Sequence, residues 1–103
     1  MAFIDKYNFE NLQNVAEKLV FDELGRQLEM HSTPICLCNE CVLDMAAMTL
    51  NTIKPLYRVT LLGTLYTATA MDEKSYARSV REAVFSAIEK VSKNPSHDVS
   101  LDE

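Results

Sequence analysis

The three cysteines of this chain, Cys36, Cys38 and Cys41, lie within a run of six consecutive residues. Any disulfide scheme leaves one of three thiols over, whereas three thiolates and one further ligand complete the tetrahedral shell that zinc prefers. The spacing therefore predicts a zinc site, and three sulfur ligands with no His-Glu pair nearby are typical of a structural site. Two alternatives stay open, namely three thiols that hold no metal and an iron–sulfur cluster.

The composition is that of a small globular protein. The chain has 103 residues, of which 48% are hydrophobic and 24% charged, and this predicts one domain over residues 1–103 with a flexible acidic tail at 98–103. The apolar core of so small a domain is narrowly sufficient to stabilise it, so a structural metal or oligomerisation is expected to add stability. Because no long apolar run or leader pattern is present, we expect a cytoplasmic protein, where thiols stay reduced.

Charge is unevenly distributed along the chain. The net charge of −5 argues against binding to duplex nucleic acid, which requires a basic excess. Residues 54–81 nevertheless carry more basic than acidic side chains, and this segment is where a small anion is expected to bind. Its basic residues are Lys54, Arg58, Lys74, Arg78 and Arg81.

Apolar periodicity predicts three main helices. The first is expected over residues 9–29, capped by Asn8, with an apolar face that includes Leu12, Ala16 and Leu19. The second is expected to begin at about Cys41, inside the cysteine loop, and to end before Pro55. The third is expected from a cap at Asp72 to about residue 93, where Asn94-Pro95 stops it.

The fold class is therefore all-α, with the cysteine loop between the first two helices. The third helix is expected to have an apolar face made of Ala77, Val80, Val84, Ala87, Ile88 and Val91. Residues 56–71 are ambiguous, because their Thr, Val and Tyr content favours a short strand while so short a run is also compatible with a helical turn.

A longer pattern begins at the cysteines and ends beyond the second helix. It reads Cys36-x-Cys38-x-x-Cys41-x-x-Asp44-x-x-Ala47-x-x-Leu50-Asn51-x-x-x-Pro55-x-Tyr57. This pattern resembles the signature of the ComFB family of late-competence proteins, and the third helix ending in Asn94-Pro95-Ser96 fits as well. The resemblance implies a small, mostly helical, dimeric zinc protein without enzymatic activity.

The resemblance also bears on the fourth zinc ligand. In the Bacillus-type family member, a fourth cysteine follows the Pro-Ser at the end of the last helix, and this chain has His97 near that place. His97 is thus the predicted fourth ligand. His31, five positions before the cluster, is the second candidate, and a water molecule is the third.

Cyanobacterial relatives in that family are receptors for cyclic dinucleotides. A similar role here requires cations for two phosphates and flat side chains for two bases. The candidate residues are Arg58 and Tyr57 after the second helix and the series Lys74, Arg78 and Arg81 on the third helix. The alternative interpretation of that series is an ordinary solvated helix face.

The predicted function is that of a cytoplasmic, zinc-binding homodimer that binds cyclic di-GMP or cyclic di-AMP and acts through an unidentified protein partner. The alternative function is a zinc-stabilised protein-interaction module of a competence or motility pathway with no nucleotide ligand. Neither involves a membrane or duplex nucleic acid. The sequence shows no Ser-His-Asp set or open metal position, so we expect no enzymatic activity.

Overall fold

Three α-helices and a small two-stranded sheet form the part of the chain that the computed structural model describes, residues 2–59 and 73–95. Two short 3-10 helices, Phe3–Lys6 and Phe9–Asn11, come first. They are followed by strand β1 (Gln13–Asn14), helix α1 (Ala16–Glu29), helix α2 (Asn39–Thr52), strand β2 (Tyr57–Arg58) and helix α3 (Glu73–Lys93). The three predicted helices are confirmed, but the predicted all-α class is correct only in part, because a two-stranded sheet is also present.

Helix α3 packs against both α1 and α2, which also contact each other. The three helices enclose one apolar core, because each of them places small and branched side chains on its inner face. That core consists of Ala16, Val20, Leu24, Cys41, Met45, Ala46, Tyr76, Val80, Val84, Ala87, Ile88 and Val91.

The predicted start of the first helix at residue 9 is wrong. Residues 9–11 form a 3-10 turn, the side chain of Asn8 makes no capping hydrogen bond, and β1 pairs antiparallel with β2, with Gln13 opposite Arg58 and Asn14 opposite Tyr57. The Oδ1 of Asn14 accepts hydrogen bonds from the backbone N–H groups of Ala16 at 3.1 Å and Leu56 at 2.8 Å. This pairing with a distant segment keeps residues 13–14 extended, so α1 begins only at Ala16.

The later start also changes which residues of the first helix face the core. Ala16, Val20 and Leu24 are buried at four-residue intervals, while Leu12 and Leu19 are 46% and 41% exposed. The predicted core face of α3 is confirmed except at Ala77, which is exposed while its neighbour Tyr76 is buried.

The other observed helix ends agree closely with those predicted from the sequence. α2 begins inside the cysteine loop, as predicted, and ends at Thr52, three residues before Pro55. α3 ends at Lys93, where Asn94-Pro95 follows. Tyr57–Arg58 forms a strand, which settles that part of the ambiguous segment, and Leu56 and Val59 flank the strand outside any helix. Residues 60–71 of the segment and the predicted cap Asp72 lie outside the described residues.

Candidate metal centre

The cysteine loop runs directly into the amino terminus of α2. Cys38 is the capping residue of this helix, with extended backbone angles (φ −69°, ψ 163°). Its Sγ accepts a hydrogen bond from the backbone N–H of Cys41 at 3.4 Å, and its carbonyl accepts one from Val42 at 3.0 Å. Cys38 and Cys41 are thus held on the first turn of the helix, while Cys36 approaches from the loop.

The three sulfur atoms converge. All of them lie within 4.8 Å of one another, and the edge of a tetrahedral zinc–thiolate site is about 3.8 Å, given Zn–S bonds of about 2.3 Å. The cluster is therefore within a small side-chain adjustment of the distances that one zinc ion requires. Soft sulfur donors also match zinc better than they match hard cations such as magnesium. The residues present fit a metal ion of this class.

The cluster lies at the edge of the core. Cys41 is buried and belongs to the apolar core, Cys38 is half-buried, and Cys36 is exposed. An ion bound by these sulfurs would link the loop before α2 to the apolar core through Cys41. The side of the site formed by Cys36 would face solvent.

The surroundings of the thiols determine how easily they ionise. A backbone hydrogen bond from Cys38 lowers the pKa of Cys36, but the side chains of Cys38 and Cys41, desolvation and the charge of Cys38 together raise it above its ordinary value of 9.0. Neighbouring thiolates repel each other, and a divalent cation between them removes that repulsion. The positive end of α2 acts in the same direction as the cation.

The predicted fourth ligand, His97, lies outside the described residues. His31 is half-buried, and its Nδ1 lies 2.8 Å from the carbonyl oxygen of Thr33. In residues 2–59 and 73–95 the candidate ligand group consists of the three cysteines, so His31 is not part of it. The carboxylate of Glu40 accepts a long hydrogen bond of 4.0 Å from the thiol of Cys38.

The predicted ligand-binding residues fall on two elements. Lys74, Arg78 and Arg81 form an exposed series on α3, which we call the basic stripe. The carbonyl of Arg81 accepts a hydrogen bond of 3.0 Å from Gln27 on α1, so the Arg81 end of the stripe lies beside the α1–α3 contact. The pKa of Glu23 is lowered mainly by the hydrogen bond from Arg26, and the charge of Arg81 lowers it further.

Tyr57 and Arg58 are adjacent on β2 and differ in exposure. Tyr57 is 58% exposed. Arg58 is half-buried, and its Nε is buried without a hydrogen-bond acceptor among the described residues. A buried guanidinium nitrogen without an acceptor is costly, and an anion is its natural partner.

A groove of about 560 Å³ between the end of α2 and one side of α3 was not predicted from the sequence. Tyr76 donates a hydrogen bond of 2.6 Å from its hydroxyl to the carbonyl of Lys54 in this groove. The side chains of Ser75, Ser79 and Glu82 also line it. The sequence feature that could have indicated this groove is the recurrence of polar residues at three- and four-residue intervals along α3, namely Ser75, Ser79, Glu82 and Ser86. The basic stripe does not line this groove.

An apolar surface at the amino terminus was also missed. The rings of Phe3, Tyr7 and Phe9 have centroids 5.0 to 6.1 Å apart. Together with Leu12 and Val59 they line a shallow groove of about 300 Å³. We call these five residues the aromatic patch. In sequence they are scattered through two 3-10 turns and a distant loop, so no periodicity connects them.

These features define a small, mainly helical protein with a cysteine cluster suited to a metal ion. The family model for the late competence development protein ComFB matches residues 13–95, so the chain belongs to the ComFB family. The resemblance noted from the cysteine pattern is thereby confirmed. No curated protein shows significant similarity to the chain.

A solved structure described as the late competence protein ComFB from Bacillus subtilis has the same fold. The two share 24% sequence identity with a TM-score of 0.66, over 84% of this chain and 93% of that chain. Identity this low supports the fold alone. None of the helices in the described part of this chain has the length and apolar character needed to cross a membrane.

Proposed function

We propose that this chain is a non-enzymatic, zinc-binding regulatory protein that binds a cyclic dinucleotide as a homodimer. The convergence of Cys36, Cys38 and Cys41 at the start of α2 is the observation that carries the zinc part of the proposal. The exposed basic stripe and the unsatisfied Nε of Arg58 support the nucleotide part.

The proposed role of zinc is structural. Cys36, Cys38 and Cys41 would hold the ion, with His97, His31 or water as the fourth ligand. A bound ion supplies a cross-link between the loop and the core, since Cys41 packs among the buried residues of α1 and α3. Such a cross-link stabilises a domain of this size, which has a limited core of its own.

The proposed ligand surface combines charge and aromatic area. Arg78, Arg81 and Lys74 offer cations for phosphate, and Arg58 offers a planar guanidinium that can bind phosphate through two hydrogen bonds. Tyr57 exposes a ring on which a base can stack. The local positive charge offsets the net charge of −5, which otherwise repels an anionic ligand.

A homodimer explains how this surface accommodates a cyclic dinucleotide. Such a ligand has approximate two-fold symmetry, and on a two-fold axis each basic residue occurs twice. If the dimer has two subunit arrangements and the ligand binds one of them more tightly, the ligand shifts the population toward that arrangement. A protein partner then binds one arrangement in preference to the other.

Titration calorimetry of the zinc-loaded protein with cyclic di-GMP and with cyclic di-AMP tests this function. We expect binding by at least one of them and about a tenfold loss of affinity in the Arg78→Ala variant, equal to about 1.4 kcal/mol. Lys90→Ala, which removes an exposed cation elsewhere on α3, is the matched control and is expected to bind normally. An absence of binding heat with a folded, zinc-loaded dimer contradicts the receptor role.

The second candidate is a zinc-stabilised protein-interaction module without a nucleotide ligand, and the exposure of the aromatic patch favours it. Phe3 and Tyr7 are 67% and 57% exposed, and contiguous apolar surface of this kind is typical of protein contacts. This candidate predicts loss of structure on zinc chelation together with no response to either nucleotide.

A further inference from the structure

The three cysteine residues of the cluster differ in their overall exposure. Cys36 is exposed and lies in the loop before α2, outside any helix or strand, whereas Cys38 caps the helix and Cys41 is buried in the core. A dissolved reagent therefore reaches Cys36 first. The other two sulfurs lie within 4.8 Å of it, so a second thiol is already next to the one that reacts.

Disulfide formation requires the sulfurs to approach to about 2.05 Å. Cys36 lies in the loop outside α2, so its movement toward Cys38 or Cys41 does not require this helix to unwind. Two thiols placed in this way, one exposed and one next to it, have the proximity that reversible disulfide formation requires.

We propose that Cys36 is the entry point of a reversible oxidation that joins it to Cys38 or Cys41, with a low-molecular-weight disulfide such as oxidised glutathione as the oxidant. The Cys36 thiolate attacks the glutathione disulfide, whose S–S bond breaks, and one glutathione thiolate leaves. The thiolate of Cys38 or Cys41 then attacks the mixed disulfide at the Cys36 sulfur and displaces the second glutathione. Two electrons pass from the protein dithiol to the oxidant, and the two thiol protons end on the two released glutathiones.

This modification has a direct consequence for metal binding. A sulfur within a disulfide is no longer a thiolate ligand, so the oxidised cluster keeps one of its three sulfur donors. Oxidation therefore releases a metal ion held there, and a bound metal ion slows oxidation by occupying the same sulfurs. Neither the oxidation nor the release of the metal requires a bound nucleotide.

The test treats the full chain, both metal-free and zinc-loaded, with excess oxidised glutathione. We expect the number of thiols, counted after denaturation, to fall from three to about one and the intact mass to decrease by about 2 Da, with both changes reversed by dithiothreitol. We also expect zinc to be released to a chromogenic chelator. Retention of all three thiols by the metal-free protein overturns the proposal, and so does a stable glutathione adduct that never resolves to a disulfide.

The Cys36→Ser variant tests the entry role, and Cys38→Ser is its matched control. Cys36→Ser is expected to slow thiol loss by about tenfold or more, because the remaining thiols are less accessible, while Cys38→Ser still reacts at Cys36. Equal rates in wild type and Cys36→Ser overturn the assignment. A brief pulse of iodoacetamide on metal-free wild type, followed by peptide mapping, gives the same information without a variant: Cys36 is labelled first if the proposal holds, and first labelling of Cys38 or Cys41 contradicts it.

Discussion

Asn14 joins the start of α1 to the segment after α2 through a single side-chain oxygen. Its Oδ1 accepts from the backbone N–H of Ala16 at 3.1 Å and from that of Leu56 at 2.8 Å. Ala16 is fully buried, so water cannot readily replace this acceptor. We therefore expect Asn14→Ala to leave two backbone donors poorly satisfied and to destabilise the fold.

The expected size of this effect follows from the two lost bonds. A buried donor without an acceptor costs about 1 to 3 kcal/mol, and the hydrogen bond of Leu56 is only partly buried, so we expect a total loss of about 2 to 4 kcal/mol. For a chain of 103 residues this corresponds to a decrease in Tm of about 10 to 20 °C. Urea denaturation followed by circular dichroism, at constant protein and zinc concentration, measures the change.

Asn14→Asp is the matched control. The carboxylate keeps an oxygen in the same place, and its negative charge is favourable at the amino terminus of α1. We expect this variant to stay within about 1 kcal/mol of wild type. A loss below about 0.5 kcal/mol in Asn14→Ala, or equal losses in both variants, would refute the role assigned to the shared acceptor.

Three further variants test the packing and the ionic contacts. Tyr76→Phe removes the hydrogen bond to the Lys54 carbonyl and is expected to cost about 1 kcal/mol at neutral pH. Because burial raises the pKa of Tyr76 above its ordinary value of 10.0, its contribution is fully present below pH 10 and is lost at higher pH, so the gap between wild type and variant should narrow in alkaline urea titrations. Glu23→Gln removes a carboxylate whose pKa is lowered, chiefly by the hydrogen bond from Arg26. Its stabilising contribution is present above the ordinary value of 4.5 and disappears as the pH falls through the lower folded value, so thermal melts should show a difference of at most about 1 kcal/mol at pH 7 and none in strong acid. Met45→Ala empties a fully buried position and is expected to cost about 2 to 5 kcal/mol, against less than about 1.5 for Met45→Leu, by denaturant titration; equal effects of the two substitutions contradict the assigned packing.

Local chemistry in the sequence predicted the carboxyl-terminal ends of the three helices and the convergence of the three cysteines. The spacing of Cys36, Cys38 and Cys41 is a local signal, because ligands this close in sequence can converge through a single loop. Pro55 and Asn94-Pro95 likewise act on their immediate neighbours, and α2 and α3 end just before them.

Features that depend on distant pairing were not predictable in the same way. The start of α1 is determined by β2 and by Leu56, which bonds to a side chain 42 positions earlier. The groove beside Tyr76 depends on how the end of α2 approaches α3, and the aromatic patch depends on Val59 meeting the amino-terminal turns. The assignment of His97 as the fourth metal ligand stays a prediction from the sequence.

Zinc content is the measurement that tests the central claim most directly. Elemental analysis of the protein, purified under reducing conditions and supplied with zinc, is predicted to give about one zinc per chain, and less than about a tenth of that in Cys38→Ser. Wild-type protein that is folded, fully reduced and still free of zinc, or a Cys38→Ser variant that retains a full equivalent, would contradict the assignment of these three cysteines as a metal centre.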